Sequence, residues 1–317
     1  MGSNITSALL ALLAFAIFAT HDVIVKILGA DYSPIQIIVF SVLFAFPWVT
    51  LMLIRDANSG NLRPRHPYWT AFRTFATTLT GVSAYYAFST LPLAQVYAIL
   101  FATPLLITIL AIPILGETVR THRWVAVLVG LGGVLVVLKP GAQDPTLGHA
   151  AALVAAFGSA FASIIVRKIG KDERSIVLLI FPMMANFVLM GALLGFVYKP
   201  MPVEHMGSIA LMSLMVLLAS SLVIAAYREG EAVVVAPMQY SQIIWASVFG
   251  VLMFNETMDS ATILGAAIII GSGIYITLRE GRANASENTP VLRTRTRTET
   301  GTSLRIGPLI RARKKCG

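Results

Sequence analysis

The chain has 317 residues, is 56% hydrophobic and carries only 12% charged residues, with a formal charge of +9 and a mean hydropathy of +0.78. Soluble domains carry roughly 25% charged residues, so this composition excludes an ordinary water-soluble globule and calls for a bilayer. One cysteine, Cys316, excludes an internal disulfide, and no Cys/His cluster has zinc spacing.

A membrane-spanning helix needs about 20 mainly apolar residues. Ten such runs follow one another, near 6–26, 34–54, 68–90, 93–115, 121–138, 147–166, 175–197, 206–226, 232–254 and 260–278. The segment Met1 to Ile5 has no basic stretch ahead of the first run, so that run is expected to remain as a helix. Short charged or Pro/Gly-containing connectors separate the runs, for example Arg55–Pro67, Lys139–Pro145 and Lys168–Arg174. Pro104 and Pro113 fall in the fourth run and Pro237 in the ninth. In lipid, such breaks are tolerated where neighbouring helices or a cavity satisfy the freed carbonyls.

The basic residues are sorted by side. Twenty of the 24 Lys and Arg fall on the side of the N-terminus, including the tail that ends in Arg311, Arg313, Lys314 and Lys315. The other side receives only Lys26, Lys139 and Lys199, and Arg73 lies inside a span. This asymmetry predicts both termini in the cytoplasm. It accounts for the positive charge by topology rather than by nucleic-acid binding.

The chain also repeats itself. Ala8 to Gly29 is similar to Gly148 to Gly170, with Ile24–Val25–Lys26 on Ile165–Val166–Arg167. Gly116–Glu117–Thr118 falls on Asn255–Glu256–Thr257, and Gly132–Gly133–Val134 is similar to Gly271–Ser272–Gly273–Ile274. Each unit holds five spans, so the second enters from the opposite side. Inverted repeats of this kind favour alternating access with a site near the midplane. The expected units are 1–140, 141–280 and a polar basic tail, 281–317, which is either a solvated topology signal or a contact for anionic headgroups.

These paired segments, with Ala236–Pro237–Met238–Gln239–Tyr240 ahead of the second, resemble the drug/metabolite transporter superfamily in its EamA-type branch, over about residues 6–279. The resemblance implies an all-α integral membrane fold of ten helices in two inverted five-helix repeats. It also implies a central cavity lined by spans 1, 3, 4, 6, 8 and 9. Cargoes across the superfamily are diverse, and riboflavin, amino acids and S-adenosylmethionine are the candidates. His21–Asp22 departs from the small or aromatic residues that many relatives place there.

Several side chains are candidates for substrate contact. His21 and Asp22 lie within the first span, where an ionised carboxylate normally faces a partner or water. They are either a cargo contact and proton-responsive pair or a rim pair that orients the span. Tyr85, Gln95 and Tyr97 lie toward the outer half of spans 3 and 4, and Gln239, Tyr240, Gln242 and Trp245 follow Pro237. Aromatic faces with a few amides suit a planar, polar metabolite. Pro104 and Pro237 are the candidate helix breaks. Arg73 is read as snorkelling to headgroups or, if it faces the cavity, as favouring an anionic cargo, and Thr70, Thr74, Thr77 and Thr78 as a packing stripe. Glu117 and Glu256 are read as structural, capping the next helix or pairing with a basic residue. Gly191 and Gly195 are a weak mark of homodimerisation, so a monomer or a weak dimer is expected.

No GxxxxGK[ST], HExxH or strand-borne GxSxG motif occurs. A carrier driven by a gradient, protons or voltage is therefore expected, in the inner (plasma) membrane, with lipid and a small molecule as its partners and no cofactor. The rivals are an intramembrane enzyme, which requires an acid/base or metal set at one depth, and a structural or regulatory subunit, which requires no internal path.

Overall fold

In the computed structural model the described residues are 2–55, 62–116, 121–139, 146–169, 172–173, 175–229 and 232–280. Among them there is no strand. The helices are α1 (Gly2–Gly29), α2 (Pro34–Arg55), α3 (Pro67–Thr90), α4 (Leu93–Leu100), α5 (Thr103–Leu115) and α6 (Thr121–Leu138), followed by α7 (Leu147–Ile169), α8 (Ser175–Val197), α9 (Val203–Glu229), α10 (Ala232–Val235), a 3₁₀ segment (Ala236–Tyr240), α11 (Ser241–Phe254) and α12 (Ser260–Glu280).

Among the described residues, five segments are long and apolar enough to cross a bilayer: Ile5–Gly29, Leu93–Leu115, Leu147–Ile169, Val177–Val197 and Val203–Ala226. Shorter apolar helices occupy Pro34–Thr50, Trp124–Leu138 and Ser260–Ile276. Large apolar side chains such as Leu9, Phe75, Leu128 and Leu252 are more than half exposed. A water-soluble protein does not present so much contiguous hydrocarbon, and here it faces lipid. The chain is a multi-pass membrane protein.

Local chemistry explains the helix ends. Pro34 and Pro67 start α2 and α3, where a missing N–H costs nothing. Gly116 (φ 69°) ends α5 and Asn255 (φ 50°) ends α11, both left-handed. Glycine and asparagine tolerate that conformation best. The matching Gly-Glu-Thr and Asn-Glu-Thr segments thus share one physical job at their first position. Pro104 has no N–H to offer the carbonyl of Leu100, and the chain breaks at Phe101–Ala102 between α4 and α5. Pro237 sits inside the 3₁₀ segment that separates α10 from α11.

The closest helix pairs are α3 with α7, α1 with α9, α6 with α12 and α2 with α8. Small residues bring the backbones together. A Cβ on Gly133 of α6 would lie 2.9 Å from the Gly265 carbonyl of α12, and one on Gly265 would lie 2.6 Å from that of Gly133. Gly191 and Gly195 meet nothing within 4 Å, so their shared face packs against no other part of the described chain.

Candidate functional site: a buried carboxylate among aromatic rings

Asp22 lies on α1 with 1% of its surface exposed, and His21 beside it with 2%. Adjacent residues on a helix point about 100° apart, yet these two side chains curl together: His21 Nδ1 stands 2.7 Å from Asp22 Oδ1. The other carboxylate oxygen accepts the hydroxyl of Tyr97 from α4. A buried carboxylate is tolerable only when it is paired and hydrogen-bonded, and both oxygens here are engaged. Their partners come from different helices, so the cluster ties the short α4 to α1.

Aromatic rings continue outward from this core. Tyr85 of α3 meets His21 edge-on at 6.3 Å. Tyr97 contacts Phe88 at 5.4 Å and Phe101 at 6.0 Å, and Phe101 meets Tyr240 edge-on at 5.0 Å. Each ring offers an electron-rich face. One carboxylate ringed by such faces has the chemistry to hold an organic cation. Phe88 and Phe101 belong to this ring cluster, and sequence reasoning missed both; two phenylalanines in an apolar run carry no signal of their own.

Tyr240 closes the far edge, where its hydroxyl rests directly over Gly273 of α12. A Cβ on Gly273 would lie 1.8 Å from Tyr240 Oη. The ring follows a short 3₁₀ segment and is 7% exposed, so it has nowhere to withdraw. Gly273→Ala is therefore expected to lower stability by about 1–3 kcal/mol, the usual effect of overpacking. A melting temperature equal to wild type, measured on the purified protein, would contradict this contact.

The remaining sequence candidates are distributed unevenly. Gln242 is 1% exposed on α11, and its Nε2 has no hydrogen-bond partner among the described residues. An unmet buried amide is costly. Gln239 is half-buried on the 3₁₀ segment. Gln95 is not in the cluster: its Nε2 lies 3.0 Å from His149 Nε2 of α7, at the end of the bundle. Trp245 is 37% exposed, on a stripe with Ile244 and Val248 that faces lipid. Arg73 does not snorkel: it is 5% exposed and its Nη1 donates to the Leu178 carbonyl of α8. Glu117, Cys316 and the tail 281–317 lie outside the described residues.

The end of the bundle nearest the cluster is laced shut across the two halves of the chain. Lys26 Nζ, at the end of α1, pairs with Glu256 Oε1 after α11 at 2.7 Å and donates to the Leu91 carbonyl at 2.5 Å. Glu256 Oε2 accepts the Leu93 N–H at 3.0 Å, at the start of α4. Glu256 thus pairs with a basic residue, one of its two expected roles, but the helix it caps is α4 of the other half and not the next helix, α12. At the same end, the Gln36 side chain bonds both the N–H and the carbonyl of Lys199, and Tyr32 bonds His205 at 2.8 Å. Lys139 pairs with Asp259 at 2.5 Å. Burial alone would raise the Asp259 carboxyl, but hydrogen bonds from Lys139 and Thr262 and the Lys139 charge carry it below the ordinary carboxylate range. That tie is present above the ordinary range and is lost as pH falls through the lowered value. At the opposite end, Glu173 Oε2 accepts the N–H groups of Arg65 and His66, at 2.8 and 3.1 Å. Lys168 there donates to the Ile114 carbonyl at 2.7 Å.

A bundle of apolar helices, broken beside a buried polar cluster, is an arrangement that membrane transport proteins use. The chain belongs to the EamA-like transporter family, whose domain it contains twice, over residues 5–139 and 146–279. It is 26% identical to the S-adenosylmethionine uptake transporter of Rickettsia bellii over 86% of this chain and 93% of that protein. It is 27% identical to the riboflavin transporter of Vibrio cholerae over 78% and 82% of the respective chains. It is 23% identical to the pseudopaline exporter CntI of Pseudomonas aeruginosa over 84% and 93%. A solved crystal structure shares the fold, with a TM-score of 0.58 at 17% identity over 88% of this chain and 97% of that one.

Proposed function

We propose that the chain is a secondary transporter that moves a small, positively charged metabolite across the inner membrane by alternating access, with both termini cytoplasmic. The observation that carries the cargo class is the Asp22 carboxylate, buried within a span and bordered by His21, Tyr85, Tyr97, Phe101 and Tyr240. Gln242 adds an unmet amide on α11, which packs against α1. S-adenosylmethionine, with its sulfonium and ammonium groups, fits this chemistry better than neutral riboflavin. Several relatives of similar length bear names that specify its uptake.

The packing pattern supports an inverted repeat. Exchanging each span for its counterpart five spans later turns the α1–α9 pair into the α7–α3 pair, and the α2–α9 pair into the α8–α3 pair. The α2–α8, α6–α12 and α4–α11 pairs map onto themselves. That is the behaviour of two units related by a two-fold axis. With five spans per unit the axis lies in the membrane plane. The Lys26–Glu256 and Glu173 ties then sit at opposite membrane faces, where alternate opening would break one set at a time.

Uptake into proteoliposomes tests this directly. The chain is expected to accumulate S-adenosylmethionine over riboflavin by tenfold or more. Transport of riboflavin in preference to the sulfonium would remove the cationic cargo class. No transport of either, nor of basic amino acids, by folded protein would remove the transporter proposal.

A further inference from the structure

A groove of about 580 Å³ runs between α3 and α8, from Pro64 and Pro67 at one end to Val82 and Leu189 at the other. It shares no residue with the Asp22 cluster. Its rim includes Phe75, Leu79 and Leu189, which are 67%, 40% and 53% exposed, so it opens sideways onto the lipid-facing surface. Three of the four threonines of the α3 stripe, Thr70, Thr74 and Thr78, line it, yet each Oγ1 is shut away from accessible surface. The surface that the groove presents is therefore almost wholly hydrocarbon despite its hydroxyl residues.

The two ends of the groove differ in charge. Arg63 and Arg65 flank Pro64 and are both exposed. Val82 and Leu189, at the far end, lie deep within their helices among apolar residues. From Pro67 to Val82 the helix rises roughly 22 Å, which exceeds one leaflet of a hydrocarbon core about 30 Å thick. A hydrocarbon slot deeper than one leaflet, with cations at its mouth, can take the full length of an acyl chain below an anionic head. We propose that this groove seats one acyl chain of an anionic phospholipid from the leaflet at the α3 N-terminus, with its phosphate against Arg65.

Native mass spectrometry of the full chain, purified in detergent with equal phosphatidylglycerol and phosphatidylcholine, tests this. One phosphatidylglycerol per chain should persist at collision energies that strip phosphatidylcholine. Arg65→Gln should reduce that preference about fivefold while leaving the retained lipid count near one. Ala185→Trp, which places an indole in the slot, should remove the retained lipid of either kind. Arg65 is exposed, so its variant keeps the test valid if Ala185→Trp unfolds. Equal retention of the two lipids by the native chain, an unchanged preference in Arg65→Gln, or full retention by folded Ala185→Trp would each overturn the proposal.

Discussion

Asp22→Asn is expected to reduce uptake of a cationic cargo by one to two orders of magnitude while leaving the amount of folded protein unchanged. The two halves of that expectation have separate causes. A hydrogen bond to a charged group contributes about 1.5–3 kcal/mol against about 0.5–1.5 for a neutral one, the amide also loses the attraction between unlike charges, and each 1.4 kcal/mol is tenfold in affinity. Folding does not share the loss. An amide carbonyl still accepts from the Tyr97 hydroxyl, and removing a charge from the membrane interior relieves a desolvation cost. The loss should fall mainly on KM if Asp22 holds the cargo in its resting site. Asp22→Glu keeps the charge and should recover part of the rate. Wild-type uptake by Asp22→Asn, at wild-type KM, would dismiss the carboxylate as the recognition element.

The spans were legible because the bilayer imposes one rule, hydrocarbon for about 20 residues at a time, and each predicted run overlaps a helix or a broken pair of helices. Asp22 was legible for the same reason: a lone carboxylate in an apolar run cannot be indifferent. The Tyr97 contact was not derivable, since 75 residues separate the partners and only the packing of α4 against its neighbours brings them together. Trp245 and Gln95 show the limit from the other side. Trp245, three residues and about 60° around α11 from the buried Gln242, already lies at the lipid-facing margin, so chain proximity misled. Gln95 satisfies His149, a residue that no motif singled out. Lys26 looked like an ordinary span-end cation. Its role emerges only when α1, α4 and the end of α11 converge.

That convergence yields the second large effect. Lys26→Met leaves Glu256 with the Leu93 N–H alone and leaves the Leu91 carbonyl without this donor. The side chains of Lys26 and Glu256 are 13% and 15% exposed, so the loss should fall between values for exposed and buried pairs, roughly 1–3 kcal/mol. If the tie holds one face closed, that energy appears as a population shift of about 5- to 150-fold toward the state open at this end. A reporter cysteine at Ser89, introduced with Cys316→Ser, should then react correspondingly faster with a membrane-impermeant maleimide. Glu256→Gln should act more weakly, because its amide oxygen can still cap α4 at Leu93. Exchanging the charges, Lys26→Glu with Glu256→Lys, should restore the ion pair yet not the closed state. A glutamate cannot donate to the Leu91 carbonyl, and a lysine cannot accept from the Leu93 N–H. Charge attraction alone would predict full rescue, so the exchange separates a latch built on backbone ties from a surface ion pair. Unchanged labelling in Lys26→Met would mean that this end is held by its other contacts and that the ion pair plays no part in opening.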